Sequence, residues 1–288
     1  MNRREFMGGA SALILAAGVE PDAMAADNGL RIGVCADAHY ADADTRGQRY
    51  YRLSLERMRE AVASWNAVGV DVAVELGDFV DSGVRPDPAE ELHFLHAIEA
   101  EFSRVRALRC HVLGNHCVAT LPKATFLRAV RQRRSWYSFD RRNVHCIVLD
   151  ACFRKDGVSY DAGPFDWRDS EIPAAQRDWL AEDLKRTRRR TVVFVHQRLD
   201  LPQGDPYAVY SSATVRGILE ESHKVCAVVM GHSHENALQR IAGIPYITLD
   251  AMVDGDAAAG NAFSILHVSP DGAVTLEASG RHRHHPMA

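Results

Sequence analysis

Carboxylates, an amide and imidazoles recur in this sequence at one kind of place. "GVCADAH" ends in Asp37 and His39, "VELGD" in Asp78 and "VLGNH" in Asn115 and His116. "VVFVH" then ends in His196, and "VVMGHSH" in His232 and His234. Each apolar run has the look of a buried strand, and each finishes in groups that are costly to bury. A single histidine at a strand end is ordinarily a satisfied structural residue, but the repetition calls for a shared cause. Buried carboxylates and imidazoles are tolerated when they coordinate a cation. In open parallel sheets the C-terminal strand ends share one edge, where ligand crevices form.

The spacing supplies geometry. In Asp37-Ala38-His39 and His232-Ser233-His234, extended backbone would send the alternate side chains to one face. Gly77, Gly114 and Gly231 each stand just before a candidate ligand, where the missing Cβ permits close approach. Asp37, His39, Asp78, Asn115, His196, His232 and His234 are more donors than one ion takes. Two ions sharing a bridging carboxylate would use them all. Oxygen and imidazole donors without thiolate suit manganese, iron or zinc, and a closed structural zinc site needs only four ligands. The cysteines show no C-x-x-C spacing, so neither a zinc ribbon nor a redox motif is indicated.

The elements that must position these groups alternate along the chain. Strands are expected at 31–35, 72–76, 110–113, 144–149, 191–195 and 225–230, all short and rich in Val, Ile and Cys. Helices are expected over 49–66, 88–106 and 173–187, where apolar residues recur at helical spacing. After residue 235 the pattern becomes short antiparallel strands, with turns at Ala242-Gly243 and Asp271-Gly272. The fold class is therefore α/β, in one domain over 26–288. The irregular stretch 152–172 has the length of a lid or binding loop. Its Phe153, Tyr160, Phe165 and Trp167 either stack on a substrate or cover an edge of the core.

The chain has 288 residues, 47% of them hydrophobic, and a formal net charge of -4. That balance gives no reason to expect a nucleic-acid polymer or an anionic membrane as partner. No apolar run reaches the roughly 18 residues that a membrane span needs. Residues 1–25 pair Arg3-Arg4 with a modestly apolar run and the small-residue site Ala23-Met24-Ala25. They resemble a bacterial twin-arginine export signal, which implies passage through the twin-arginine machinery to the periplasm or beyond. That route carries folded proteins, so no essential disulfide is expected among the cysteines. The tail "GRHRHHPMA" holds His282, His284 and His285, read as a solvated end and not as ligands.

Taken in order, the motifs resemble the calcineurin-like metallophosphoesterases. Those proteins carry D-x-H, G-D-x-x-D, G-N-H, a histidine after a strand, and G-H-x-H. This chain has "DAH" (37–39), "GDFVD" (77–81), "GNH" (114–116), "VH" (195–196) and "GHSH" (231–234). The resemblance implies a four-layer α/β/β/α sandwich of two mixed sheets flanked by helices. It implies that Asp37, His39, Asp78 and His234 hold one metal, and that Asp78, Asn115, His196 and His232 hold a second, with Asp78 as bridge. It also implies His116 as general acid, oriented by Asp81. Two such ions, roughly 3.5–4 Å apart, clamp the attacking and leaving oxygens of an in-line displacement and supply hydroxide near neutral pH. One departure is Cys117, where many members place an acid; it is read as a buried spectator or a thiol near the metals.

A narrower resemblance joins "DAHYADADTRGQRYYRLSLERMREAVASWN", "LGDFVDSG" and "QRDWLAEDL" to the manganese-dependent ADP-ribose/CDP-alcohol diphosphatases. It implies a phosphorylated small-molecule substrate, such as a nucleoside-diphosphate-linked compound. The chain departs from that branch at His39, where the branch commonly carries Gln. Arg46, Arg49, Tyr50 and Tyr51, just after the first ligand pair, then become candidates for a second phosphate or a base. The alternative for these residues is the plain opening of a surface helix. For the whole chain the alternatives are an exported phosphomonoesterase or cyclic-nucleotide phosphodiesterase, and a metal-binding protein without catalysis.

Overall fold

A computed structural model describes residues 29–83 and 85–281. The export-signal residues and the histidine-rich tail lie outside the described residues. The first sheet has the order β11-β10-β1-β2-β3. Here β1 is Leu30–Cys35, β2 Val72–Glu75, β3 Leu108–His111, β10 Ala262–Val268 and β11 Val274–Gly280. The second has the order β4-β5-β6-β7-β9-β8. Its strands are β4 Tyr137–Arg141, β5 Val144–Val148, β6 Arg190–Phe194, β7 Val225–Met230, β8 Ala237–Ile241 and β9 Ile244–Thr248. β1, β2 and β3 run parallel, as do β5, β6, β7 and β9. Antiparallel β10, β4 and β8 make both sheets mixed.

Strand alternation builds the layers. Ile32, Val34, Val72 and Val74 point into a core shared with Cys146, Val148, Val192 and Phe194 of the other sheet. The intervening residues serve the outer faces. Ala73 packs in a second core with Trp65 of α1 (Leu53–Val68) and Ile98 and Phe102 of α2 (Pro88–Phe102). Val193 packs in a third with Leu180 and Leu184 of α4 (Ala174–Arg186) and Leu219 of α5 (Ser212–Glu221). A short α3, Lys123–Ala129, completes the helices. The expected four-layer sandwich is what forms.

Helix ends follow local chemistry. Asp87 caps α2 by accepting from the N–H groups of Ala89 and Glu90, and Pro88 occupies the first turn where its missing N–H costs nothing. α1 begins four residues later than the periodicity suggests. Arg46 and Arg49 pair as a small bridge, and Tyr50 N–H donates to Val253 O at 2.9 Å, so the chain is held by the loop after β9 before it coils. β3 lies two residues earlier than expected, because it pairs through Leu108↔Val72 to His111↔Glu75. β9 pairs with β8 across the Ala242-Gly243 turn but also lies parallel to β7. Its C-terminal end therefore joins the functional edge. All six cysteines are unpaired.

Candidate metal centre

Every sequence-identified ligand follows a parallel strand on this shared edge. Asp37 and His39 follow β1, Asp78 follows β2 and Asn115 follows β3. His196 follows β6, and His232 and His234 follow β7. Asp37 and His39 converge on one group while His232 and His234 divide between two, and in neither pair is the backbone extended. Asp37 (φ 54), His39 (φ 42), Asp78 (φ 50), His232 (φ 74) and His234 (φ 57) are all left-handed. The chain turns sharply at each of these five candidates instead of continuing its strand. Such conformations are costly for residues with a Cβ and persist where the surroundings over-determine them.

The neighbouring glycines explain how the turns fit. A Cβ on Gly114 would stand 2.2 Å from Asp78 Oδ1 and 2.3 Å from Asp78 N. One on Gly231 would stand 2.5 Å from Asp37 Oδ2. Glycine here is the space that the ligand carboxylates occupy.

Side-chain donor atoms then converge. His39 Nδ1 donates to Asp81 Oδ2 at 3.1 Å, and His234 Nδ1 donates to Asp254 Oδ2 at 2.8 Å. Their Nε2 atoms are left as acceptors, and these face each other at 3.2 Å. Asp37 Oδ1, buried without a hydrogen-bond partner, lies 3.7 Å from the first and 3.5 Å from the second. His196 Nδ1 donates to Leu76 O at 2.7 Å, which turns its Nε2 to Asp78 Oδ2 at 3.2 Å and His232 Nδ1 at 3.2 Å. Asn115 Oδ1 is likewise buried and unpartnered. In each of the groups Asp37–His39–His234 and Asp78–His196–His232, the donor atoms all lie within 4.8 Å of one another. Converging groups of this kind fit cations, and the remote ring nitrogens of His39, His196 and His234 are fixed as metal-binding histidines require.

Charge tells the same story. Burial works against the Asp37 carboxylate, but His196, His39 and His234 outweigh it and hold the group at about 2. Burial also opposes charge on His196, yet Asp78 and Asp37 raise it to about 9. Burial and the neighbouring His196 push His232 down to about 3. A proton on His196 thus balances two carboxylates, and a cation would displace it on binding.

His116 and Asp81 meet as expected, with His116 Nδ1 3.1 Å from Asp81 Oδ2. Burial disfavours the imidazolium, but Asp78 and Asp81 raise its pKa. Its side chain is 31% exposed and lines a cavity of about 370 Å³ with Asp78, Asn115 and His232. Cys117 is buried, its thiol pushed up by burial and accepting from Phe79 N–H, so it packs as an inert small residue.

The candidate substrate residues divide. Arg49 and Trp167 line the cavity, and Arg49 Nη1 also reaches Asp81 Oδ2 at 3.3 Å. Arg46, Tyr50, Tyr51 and Phe165 do not line it. Tyr51 is buried in the α1 core, Arg46 is exposed, and Tyr50 docks through its backbone on Val253. Phe165 stacks on buried Tyr160 at 3.9 Å, so that pair covers the core edge. Two residues went unnoticed in the sequence. Asp254 orients His234, and its loop is wrapped by the Arg57 guanidinium, which donates to Met252 O, Asp254 O, Gly255 O and Asp256 O. Tyr207 lines the cavity beside Trp167.

Comparison with known proteins agrees with this geometry. Residues 30–236 match the family described as Calcineurin-like phosphoesterase. A curated manganese-dependent ADP-ribose/CDP-alcohol diphosphatase of Oryza sativa subsp. japonica is 29% identical over 162 residues, covering 52% of this chain and 47% of the relative. One of Danio rerio with the same name is 36% identical over 91 residues, covering 29% and 28%. The chain thus matches about half or less of the length of these relatives. Among solved structures, a dimetal phosphatase from Danio rerio superposes with a TM-score of 0.73 at 20% identity, covering 88% of this chain and 96% of that one. A purple acid phosphatase from yellow lupin, Lupinus luteus, gives 0.62 at 12% identity, covering 89% and 52%. At these identities the structural likeness shows the fold.

Proposed function

Because the chain belongs to the calcineurin-like phosphoesterase family, we propose that it hydrolyses phosphoester or phosphoanhydride bonds with two metal ions seated where its sheets meet. The observation that carries this is the convergence of candidate donor atoms, above all His39 Nε2 and His234 Nε2 at 3.2 Å beside unpartnered Asp37 Oδ1. Asp37, His39, Asp78 and His234 would hold one ion, and Asp78, Asn115, His196 and His232 the other. Such ions supply Lewis acidity towards a phosphoryl group and towards water. Manganese is the favoured metal, since the curated relatives are named as manganese-dependent.

The chain's own residues do the rest. Asp81 fixes His116 through Nδ1, which leaves Nε2 to protonate a departing oxygen. Against the opposing effect of burial, the Asp78 and Asp81 carboxylates raise the pKa of His116, which favours the charged form that this task needs. Arg49, on the same cavity, can meet a second phosphate. Together with the names of the relatives, this favours nucleoside-diphosphate-linked substrates such as ADP-ribose.

The test is a metal-stripped protein reloaded with manganese and offered ADP-ribose, nitrophenyl phosphate and bis-nitrophenyl phosphate. Preference for ADP-ribose supports the diphosphatase reading, and preference for a mono- or diester replaces it. A loaded protein inactive on all three refutes hydrolysis. We further propose export through the Arg3-Arg4 leader; an Arg3→Lys/Arg4→Lys protein that still reaches the periplasm would refute it.

A further inference from the structure

The cavity over the ligand cluster has one aromatic wall. Trp167 comes from the 152–172 loop and Tyr207 from the segment after β6, with ring centres 5.4 Å apart and tilted by 42°. Each ring meets His232 at a steep angle, Trp167 at 5.4 Å and 75°, Tyr207 at 5.5 Å and 74°. Neither ring is consumed by the core. Tyr207 is 37% exposed and Trp167 half-buried, whereas Tyr160 and Phe165 of the same loop stack on each other. Two large aromatics left open beside a polar, metal-binding hollow need a reason other than packing.

The wall is also built to stay in place. Arg198 N–H donates to Tyr207 O at 3.1 Å and Val209 N–H returns a bond to Arg198 O at 3.0 Å. Tyr210 N–H donates to Ser170 O at 2.8 Å, which ties the Tyr207 segment to the loop carrying Trp167. The Arg198 side chain is itself fixed, by Asp200 at 2.8 and 2.6 Å and by Ser233 Oγ at 3.1 Å. Ser233 sits between His232 and His234. The segments that carry the aromatic wall and the candidate ligands are therefore joined by one hydrogen-bonded support.

We propose that Trp167 and Tyr207 form a stacking subsite for a planar heteroaromatic group, the nucleobase of a nucleoside-linked phosphate. This rests on the reading of the neighbouring cluster as a phosphohydrolase centre. Every base has a π-face, so stacking selects for a base without reading which one. The subsite takes purines and pyrimidines alike and gains nothing from a sugar phosphate that lacks a base. Arg49 and His116 line the same cavity and are left for the phosphate end.

The experiment compares equilibrium binding of AMP, CMP and ribose 5-phosphate to the manganese-loaded full chain. Trp167→Ala/Tyr207→Ala is expected to weaken AMP and CMP by about tenfold or more, and to change ribose 5-phosphate by less than about twofold. Trp167→Phe/Tyr207→Phe, which keeps two π-faces, is expected to hold AMP affinity within about threefold. An alanine variant that binds AMP like the wild type overturns the subsite. So does one that loses AMP and ribose 5-phosphate in equal measure, or a phenylalanine variant as weak as the alanine one. Turnover of any of ADP-ribose, nitrophenyl phosphate and bis-nitrophenyl phosphate by the wild type is read separately. Its absence would refute the hydrolase reading, while the binding comparison still decides whether the wall recognises a base.

Discussion

His39 and His116 turn their Nδ1 atoms onto the same carboxylate oxygen, Asp81 Oδ2, each at 3.1 Å. One acid thus sets both a candidate metal ligand and the candidate proton donor. Asp81→Asn keeps the shape but leaves too few acceptors for two ring donors. We expect manganese affinity and kcat to fall together by about 10- to 100-fold. A metal titration followed by turnover at saturating metal would separate the two losses. A variant unchanged in both would show that Asp81 orients neither ring.

Asp254 affects only the metal end. It holds His234 at 2.8 Å and does not contact His116 in the described residues. Asp254→Ala should weaken metal binding by about 10- to 100-fold while kcat recovers at excess manganese. Persistent loss of kcat at saturating metal would contradict this.

Two glycine substitutions should act in opposite directions. Gly114→Ala puts a methyl group 2.2 Å from Asp78 Oδ1, so Asp78 must move and activity should be lost. Gly217 lies inside α5 with nothing within 4 Å of its added Cβ. Gly217→Ala should raise stability by about 0.5–1 kcal/mol with unchanged activity. Thermal melts and turnover of both variants check the pair.

His111 gives a stability signal in alkali. It is buried between Glu75 at 3.0 Å and Glu99 at 3.3 Å, and these carboxylates outweigh burial to raise it to about 9. A raised histidine stabilises the fold fully below its ordinary 6.5, and the benefit is lost as pH climbs through about 9. The loss is at most about 3 kcal/mol, and less because burial also makes the Glu75 carboxylate costly. Denaturant melts across that window should decline in the wild type and stay flatter in His111→Gln.

The candidate ligands were legible because each sits within a few residues of the strand that delivers it. Their local geometry was not. An alternating pair such as Asp37 and His39 suggested extended backbone, yet the chain bends left-handed at both. Asp254 escaped notice because β9 looks like half of a terminal hairpin. Only its parallel pairing with β7, a contact distant in sequence, places the following loop at the edge. Tyr51, a candidate just after the first ligand pair, is buried in the core against α1, in the short segment that Val253 holds before the helix begins. Trp167 and Tyr207 sit in irregular segments with no periodicity to distinguish a wall from a cover.

The two sheets do not contribute the same chemistry. The β1–β2–β3 side delivers the acids Asp37 and Asp78, the amide of Asn115 and one imidazole, His39; the β6–β7 side delivers imidazoles alone, His196, His232 and His234. Oxygen donors and most nitrogen donors therefore stand on opposite banks of an oily seam. A slip of one sheet past the other would part the carboxylates from most of the imidazoles at a stroke. Neither bank by itself holds a set that could work.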